Sequence, residues 1–304
     1  MEEKDRRAAA FRQAAGALPP RLRALALALP EGEQGRAEEL RLRAGRPMTV
    51  LLDGAERPLG EGPVEVEELE RLLELASQSS VHAVLPQLRR GYLTMAGGHR
   101  IGLCGTAVLR AGELHALSPL SSADIRIARQ VRGACAPVLD RLCPGGVLRD
   151  TLLLSPPGLG KTTLLRDLIR AVSEGEGCAP RRVALADERG EVAALYDGLP
   201  QLEVGRRTDV LEGCPKAAGL MLLLRAMNPQ VLAADEITAP EDLEALSQAA
   251  GCGVTLLATA HGADRADLTR RPLYRRLLEL GLFRYLVTIR RAGDGRQYEV
   301  EELR

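Results

Sequence analysis

Residues 151–167, TLLLSPPGLGKTTLLRD, follow the order of residue types that binds the phosphates of a nucleotide. An apolar run suited to a strand precedes a glycine-containing loop, and a helix-forming run begins at Lys161. In such loops the backbone N–H groups and the helix N-terminus face the phosphates, and the lysine binds the β and γ phosphates. Ser155 stands where the pattern GxxxxGK(S/T) has its first glycine. We therefore predict nucleotide binding, with Ser155 as a tolerated departure.

Gly158 and Gly160 allow this loop to turn its N–H groups toward phosphate, and the Thr162 hydroxyl is a suitable Mg²⁺ ligand. A plain glycine-proline turn is the alternative, but Gly160, Lys161 and Thr162 stand together as the motif requires. Lysine is also rare here, since only Lys4, Lys161 and Lys216 occur among 41 basic residues. The predicted nucleotide-binding residues are Ser155, Pro156, Pro157, Gly158, Leu159, Gly160, Lys161, Thr162 and Thr163.

A second acidic motif, QVLAADE, places four apolar residues directly before Asp235 and Glu236. This pattern is typical of a Walker B strand. We expect Asp235 to hold Mg²⁺ together with Thr162, and Glu236 to polarise the water that attacks the γ phosphate. The alternative, a buried strand that ends in solvated acids, is common when the motif stands alone.

Two further strand ends carry candidate catalytic groups. The run RRVALADERGEV ends in acidic residues, which makes Glu188 a rival of Glu236 for the general base. The run VTLLATAH ends at Thr259 and His261, and we expect these polar groups to sense the γ phosphate. Because ligand sites lie at the carboxyl ends of parallel strands, all of these residues should meet at one edge of a sheet. The predicted catalytic residues are Glu236, Glu188, Lys161 and His261.

The elements that must position these groups alternate along the second part of the chain. Such alternation predicts an α/β core with a parallel sheet covered on both faces. The predicted elements are strand 151–154, helix 161–173, strand 182–187, helix 215–226, strand 231–235, helix 241–250 and strand 254–259.

The first part of the chain has a different pattern. Residues 1–30 predict one or two short helices, and residues 38–59 predict a hairpin with a turn at Asp53 and Gly54. Residues 65–80 carry one apolar helical stripe, and residues 91–117 are β-like. We expect a smaller α+β domain over residues 1–120, followed by a P-loop ATPase domain over residues 121–304.

Composition excludes several classes of protein. The 41 basic and 41 acidic residues balance, so no charge asymmetry indicates a nucleic-acid partner. The six cysteines show no spacing typical of zinc or of a disulfide framework, and we expect reduced thiols in a cytoplasmic protein. The charged start and the absence of a long apolar run predict neither a signal peptide nor a membrane span.

The ordered segments EELRLRAGRP, GGHRIGLCG, SSADIRIARQVRG, DERGEVA, DVLEGCPKAAGLMLLLRAMNPQVLAADEI and ATAHG resemble those of the stage III sporulation protein AA family. That family is related to the ATPases that power type II and type IV secretion and pilus assembly. The resemblance covers nearly the whole chain. It departs at Ser155, where the family usually has glycine.

The resemblance implies a RecA-like ATPase that uses ATP and Mg²⁺ and assembles as a ring, a hexamer. It implies a peripheral position on the cytoplasmic side of a membrane-embedded sporulation channel, the mother-cell side of the forespore. In related motors, arginines of the amino-terminal domain contact nucleotide in the same or a neighbouring subunit. The matching candidates here are Arg100 and Arg129, and Arg206 and Arg207 are candidates for contacts across a subunit seam.

A nucleic-acid motor of the same fold, such as a helicase or recombinase-like filament, is the main alternative. Residues 265–291 hold eight arginines against two acids, which keeps this alternative open. Balanced charge and few aromatic residues, five Tyr and two Phe, oppose it, because single-strand binding uses basic grooves with stacking platforms. A small-molecule kinase or a GTPase fits poorly, because the chain has no NKxD motif and adjacent acids suit water activation.

Overall fold

The computed structural model describes residues 3–77, 87, 91–293 and 295–303. The chain forms two compact units, Met1–Arg129 with Ala194–Gln201, and Gln130–Ala193 with Leu202–Arg304. The boundary placed near residue 120 from the sequence lies inside strand β6, Glu113–Arg126. That strand pairs with β1, Ala37–Arg43, as far as Arg126, which keeps the following residues in the first unit.

The first unit combines helices with an antiparallel six-stranded sheet in the order β3-β2-β1-β6-β5-β4. Its core is apolar and includes Phe11, Leu40, Met48, Leu69 and Ile125. Its helices are Glu3–Ala15, Pro20–Leu27, Glu31–Gln34 and Val66–Ala76. The remaining strands are β2 (Pro47–Leu52), β3 (Ala55–Pro63), β4 (Tyr92–Thr94) and β5 (Arg100–Arg110), with a small pair β9 (Leu195–Tyr196) and β10 (Leu199–Pro200).

These elements agree with the α+β pattern of the sequence. The predicted hairpin is the antiparallel pair β2 and β3, joined at Asp53 and Gly54, which both have positive φ. The predicted helix over residues 65–80 is observed as Val66–Ala76, and residues 78–80 lie outside the described residues. Its Leu69 and Leu72 are buried against the sheet, as the apolar stripe predicts.

The second unit is built on a seven-stranded sheet in the order β11-β8-β12-β13-β7-β14-β15. All neighbouring strands are parallel except β14 and β15. The strands are β7 (Thr151–Ser155), β8 (Val183–Asp187), β11 (Thr208–Glu212), β12 (Val231–Ala234), β13 (Thr255–His261), β14 (Tyr285–Ala292) and β15 (Gly295–Glu302). The predicted parallel α/β core is confirmed, and β11, β14 and β15 are additions to it.

Three helices among the described residues of this unit, Lys161–Glu174, Lys216–Met227 and Pro240–Gly251, lie at the predicted places, and the other three are additions. The additional helices are Ala136–Leu142, Arg265–Arg270 and Pro272–Glu279. Strands β7, β8 and β12 are buried along their whole length, which explains why their sequences are continuous apolar runs. No helix among the described residues combines the length and the apolar character that crossing a bilayer would require.

The sheet register aligns the carboxyl ends of β7, β13, β12 and β8 at one edge of the sheet. Ser155 of β7 pairs with His261 of β13, and Ala234 of β12 pairs with Ala258 of β13 and with Ala186 of β8. Strand β13 therefore lies between the strand that leads into the loop and the strand that leads to the acidic pair. This order places His261 between Lys161 and Glu236.

Candidate functional site

A cavity of about 410 Å³ opens at this sheet edge, above the loop that follows β7. Gly158 and Gly160 have φ values of 77° and 93°, which residues with a β-carbon rarely adopt, so the loop needs glycine at both positions. The residues that line the cavity are Pro157, Gly158, Gly160, Lys161, Thr162, Thr163, Arg189, Glu191, Asp235, Glu236, His261 and Arg296.

Ser155 occupies the position of the missing first glycine without strain. It is not among the residues with positive φ, and its side chain is fully buried, away from the cavity lining. Its hydroxyl donates to the Pro156 carbonyl at 2.7 Å. The position therefore requires neither glycine's conformational freedom nor an absent side chain, which explains why serine is tolerated. Pro156 and Leu159 likewise do not contribute to the described lining.

Lys161 begins the helix after the loop and is buried with its ammonium group turned to the sheet edge. It donates to the Ser155 carbonyl at 3.0 Å and to Nδ1 of His261 at 2.8 Å. Burial lowers the pKa of Lys161, while the negative charges of Asp235 and Glu236 act in the opposite direction. The negative charges of these two carboxylates therefore favour the charged form of Lys161, whereas burial opposes it.

The Asp235 carboxylate accepts hydrogen bonds from two threonine hydroxyl groups, in a partly buried arrangement at the cavity. Thr162 donates to one carboxylate oxygen of Asp235 at 3.1 Å, and Thr259 donates to the other at 2.7 Å. Burial raises the pKa of Asp235, because the charged form loses its hydration. The Thr259 hydroxyl also accepts from the backbone N–H of Glu236 at 2.8 Å. Fully buried Thr259 therefore orients the acidic pair and does not itself face the cavity.

His261 connects Lys161 to Glu236. Since an ammonium group only donates, Nδ1 of His261 must accept from Lys161, and the ring proton lies on Nε2. Nε2 is 2.9 Å from Oε1 of Glu236, and Arg189 lies 3.5 Å from the other carboxylate oxygen of Glu236. The Glu236 carboxylate is therefore held at the cavity wall from two sides. A lone histidine at a strand end here has a defined polar role.

The backbone of Glu236 adopts φ of 45°, a left-handed conformation that costs about 1 kcal/mol or more for a residue with a side chain. The backbone N–H of Glu236 donates to the Thr259 hydroxyl, and the Glu236 carbonyl accepts from Lys216 at 2.5 Å. Lys216 is itself buried at the start of the helix Lys216–Met227. The carboxylate of Glu188 lies 3.4 Å from the Lys216 ammonium and that of Asp242 lies 3.9 Å away.

The acidic loop after β8 turns around its first carboxylate. Asp187 accepts from the backbone N–H groups of Glu191, Val192 and Ala193 at 2.8 to 3.0 Å. Burial raises the pKa of Asp187 against the effect of these three donors. This turn places Glu191 on the cavity wall, whereas Glu188 is absent from the described lining and faces Lys216.

Three cavity residues escaped the sequence analysis: Arg189, Glu191 and Arg296. Arg189 and Glu191 stand in the segment DERGEVA, so their proximity to Glu188 was a usable signal. Arg296 comes from the C-terminal hairpin, and no spacing relates it to the loop.

The two candidate arginines of the first unit are engaged within that unit. The Arg100 guanidinium lies over the ring of Tyr92, 3.7 Å from the ring centroid. Arg129 is half-buried and donates to the Ala37 carbonyl, and burial lowers its pKa. Their proposed contacts with nucleotide remain predictions.

The two candidate seam arginines are engaged within the second unit. Arg206 pairs with Glu174 at 2.8 Å, although its side chain remains 79% exposed. Arg207 donates to the Ser173 carbonyl at 2.8 Å. Arg206 is the more accessible of the two, and a role at a subunit seam stays a prediction for both.

Comparisons with known proteins agree with this architecture. The family model described as sporulation stage III, protein AA, matches residues 14–301. Stage III sporulation protein AA of Bacillus subtilis (strain 168) is 39% identical over 280 residues, which cover 91% of this chain and 91% of that protein. An uncharacterized ycf45 protein of Porphyra purpurea is 31% identical over 48% of this chain and 25% of its own length.

Solved structures share the fold. The ATPase DotB of Legionella pneumophila aligns with a TM-score of 0.57 at 15% identity, covering 88% of this chain and 77% of DotB. The pilus retraction motor PilT with bound ADP aligns with a TM-score of 0.59 at 17% identity, covering 88% of this chain and 79% of PilT. At this level of identity the likeness establishes the fold alone, a mixed α/β architecture with a large, mostly parallel sheet and an N-terminal domain.

Proposed function

Because the chain belongs to the sporulation stage III protein AA family, we propose that it is a Mg²⁺-dependent ATPase, the motor of a sporulation-associated channel complex. The observation that carries the proposal is the continuous arrangement of Lys161, His261, Glu236 and Asp235 around one cavity beside a glycine-dependent loop. Each of these groups has a separate task in phosphoryl transfer.

Phosphate binding falls to the loop and to Lys161. The glycines of positive φ allow the loop to direct its backbone N–H groups, the helix N-terminus adds its positive end, and the ammonium group supplies a compact charge. Lys161 now bonds to a backbone carbonyl and to His261, so the arrival of phosphate oxygens exchanges these neutral acceptors for charged ones. That exchange favours binding, because hydrogen bonds between two charged groups are the stronger ones.

Magnesium fits the pair Thr162 and Asp235. A hydroxyl and a carboxylate oxygen 3.1 Å apart are the hard oxygen ligands that this ion prefers, and Mg²⁺ usually keeps water at its other positions. When bound with ATP, the ion neutralises charge on the β and γ phosphates. Thr259 would keep the carboxylate of Asp235 in place during the exchange.

Water activation falls to Glu236. Its carboxylate lies on the cavity wall, where His261 and Arg189 hold both oxygens. Glu188, the rival from the sequence, faces Lys216, and Glu191 is the other carboxylate beside the cavity. We assign Glu236 as the general base and Glu188 as a residue that acts through Lys216.

The assembly is proposed on the family resemblance. We propose a homohexameric ring on the cytoplasmic face of a membrane, on the mother-cell side of the forespore, with membrane-embedded channel proteins as partners. In such a ring, hydrolysis at one site changes the arrangement of subunits and so produces force.

The nucleic-acid motor is the weaker candidate. Four of the eight arginines in residues 265–291 are paired with carboxylates in the second unit. Those four are Arg265, Arg271, Arg284 and Arg290. These four pairs reduce the positive charge that the segment offers to a single strand, which binds in a basic groove.

Single-turnover hydrolysis tests the assignment of the base. Glu236→Gln should bind ATP with nearly wild-type affinity and lose roughly 10²- to 10⁴-fold in the chemical step, because a general base acts mainly in the transition state. Glu188→Gln and Glu191→Gln are the matched variants and should lose much less. Lys161→Ala is the non-binding control and should stay folded.

The result that rejects this assignment is near-wild-type turnover by Glu236→Gln together with a large loss in either matched variant. Steady-state ATPase activity with membrane fractions and, separately, with single-stranded DNA distinguishes the two motors. Stimulation by DNA alone would favour the nucleic-acid motor.

A further inference from the structure

Arg296 reaches the phosphate-binding loop from a part of the chain that no motif marks. It lies on β15, directly opposite Arg291 of β14 in the C-terminal hairpin. Strand β14 is the parallel neighbour of β7, with Thr288 opposite Leu154. The hairpin therefore continues past the end of β7, at the edge where the loop begins.

The guanidinium group of Arg296 lies directly against Gly160. A β-carbon placed on Gly160 would be 2.9 Å from Cζ and 3.1 Å from Nη2 of Arg296, so the end of the arginine side chain would have to shift. Glycine is needed at this position for the left-handed backbone, and its lack of a side chain lets the guanidinium group lie against the loop. The side chain is exposed and lines the cavity.

The other cations of the cavity already have carboxylate or polar partners. Lys161 bonds to His261 and Ser155, and Arg189 lies beside Glu236. The side chain of Arg296, in contrast, forms no hydrogen bond or ion pair with another side chain or backbone group in the part of the chain that the structure describes. An exposed, always-charged group held over a phosphate-binding loop is suited to an anionic ligand.

We propose that Arg296 is a phosphate-binding residue of this chain's own nucleotide site, a proposal that rests on the proposed ATPase function. Its planar fork can donate two parallel N–H···O bonds to phosphate, which an ammonium group cannot. Because it lies against Gly160 at the helix N-terminus, it adds a contact that ATP and ADP share. The C-terminal hairpin thereby becomes part of the nucleotide site and responds to its occupancy.

Equilibrium binding of ATP, ADP, inorganic tripolyphosphate and adenosine to Arg296→Ala tests the proposal. We expect about a 10- to 100-fold weaker affinity for ATP, ADP and tripolyphosphate, the range for one charged hydrogen-bonding group, and no change for adenosine. Arg296→Lys should fall between the alanine variant and the wild type, because it keeps the charge and loses the fork. Arg291→Ala, the opposite residue in the same hairpin, is the matched control and should bind as the wild type does.

Three results would overturn the proposal. Unchanged affinity of Arg296→Ala for all ligands would show that the arginine makes no contact with them. Tighter ATP binding would show that it blocks the loop, and a loss for ATP without a loss for tripolyphosphate would show a base contact. If the wild type and Arg291→Ala also fail to bind any of the ligands, the nucleotide site itself is wrong. Thermal unfolding of each variant verifies that the fold is retained.

Discussion

Replacing Lys216 by methionine removes a buried ammonium group from beneath the acidic pair while keeping a side chain of similar length. Lys216 is 5% exposed, donates to the Glu236 carbonyl at 2.5 Å and lies 3.4 Å from the Glu188 carboxylate. We expect this change to reduce both the stability of the protein and the rate of hydrolysis. ATP affinity should change little, because Lys216 is absent from the described cavity lining.

The loss of stability follows from the contacts of Lys216. A hydrogen bond to a charged group contributes about 1.5–3 kcal/mol, and the methionine leaves the Glu236 carbonyl without this donor. Asp242 adds little, because its carboxylate still accepts from the N–H groups of Thr238 and Ala239. We therefore expect the free energy of unfolding to fall by about 2–3 kcal/mol.

The loss of rate follows from the backbone of Glu236. Its left-handed φ of 45° is maintained by Thr259 on the N–H side and by Lys216 on the carbonyl side. With one of these bonds removed, the peptide relaxes and the carboxylate shifts from the cavity wall. A displacement of about 1 Å costs on the order of 10²-fold in rate, so we expect kcat to fall by about 10- to 100-fold.

Urea denaturation, ATP binding and single-turnover hydrolysis measure the three effects separately. Arg225→Met is the matched control, an exposed residue of the same helix, and should change stability by less than about 0.5 kcal/mol. The reasoning is refuted if Lys216→Met unfolds at the wild-type urea midpoint and hydrolyses ATP at the wild-type rate. A loss of stability with full activity would refute only the positioning of Glu236.

Two other predictions concern single positions. Ser155→Gly should leave the Kd for ATP within about twofold and lower the free energy of unfolding by no more than about 1 kcal/mol, through the added freedom of the unfolded chain. A tenfold weaker Kd in calorimetry would show that the hydroxyl contacts the ligand. Burial lowers the pKa of His99 from 6.5 to about 4, so the neutral form is favoured in the folded state. The unfolded chain then binds the proton more readily, and stability should decline as pH falls from 6.5 toward 4, by up to about 3 kcal/mol. His99→Asn can still accept from the Ala128 N–H but does not titrate, so the variant should lose stability less steeply as pH falls. Denaturant titrations at several pH values measure this. An equally steep decline in the variant would show that His99 is not the group responsible.

Local sequence carried enough information for the loop and the acidic strand. The loop residues are contiguous, and their glycines, lysine and threonine act through the backbone turn and the helix that they themselves form. Continuous apolar runs such as residues 151–154 and 231–234 identify buried parallel strands, because both faces of such a sheet are covered. The family resemblance extended these local patterns to the order of the whole chain.

Other features depended on the order of strands in the sheet. The sequence placed Glu188 and Glu236 at the same edge, and only the turn around Asp187 directs Glu188 to Lys216 and Glu191 to the cavity. Glu188 and Glu191 are only three residues apart along that turn, and Glu191 alone of the two lies on the cavity wall. The hydrophobic periodicity of the sequence does not encode which carboxylate lines the cavity. The position of each carboxylate depends on the backbone N–H groups that the Asp187 side chain contacts in the folded turn.

The sequence by itself therefore determined the fold class, the glycine-containing loop proposed to bind nucleotide, and the strand that leads to Asp235. Only the tertiary structure decided that β13 separates these two strands, which lets His261 link Lys161 to Glu236. It likewise decided that Arg296 lies on Gly160. The physical reason is distance along the chain: backbone patterns act over a few residues, whereas these contacts join residues brought together by sheet register alone.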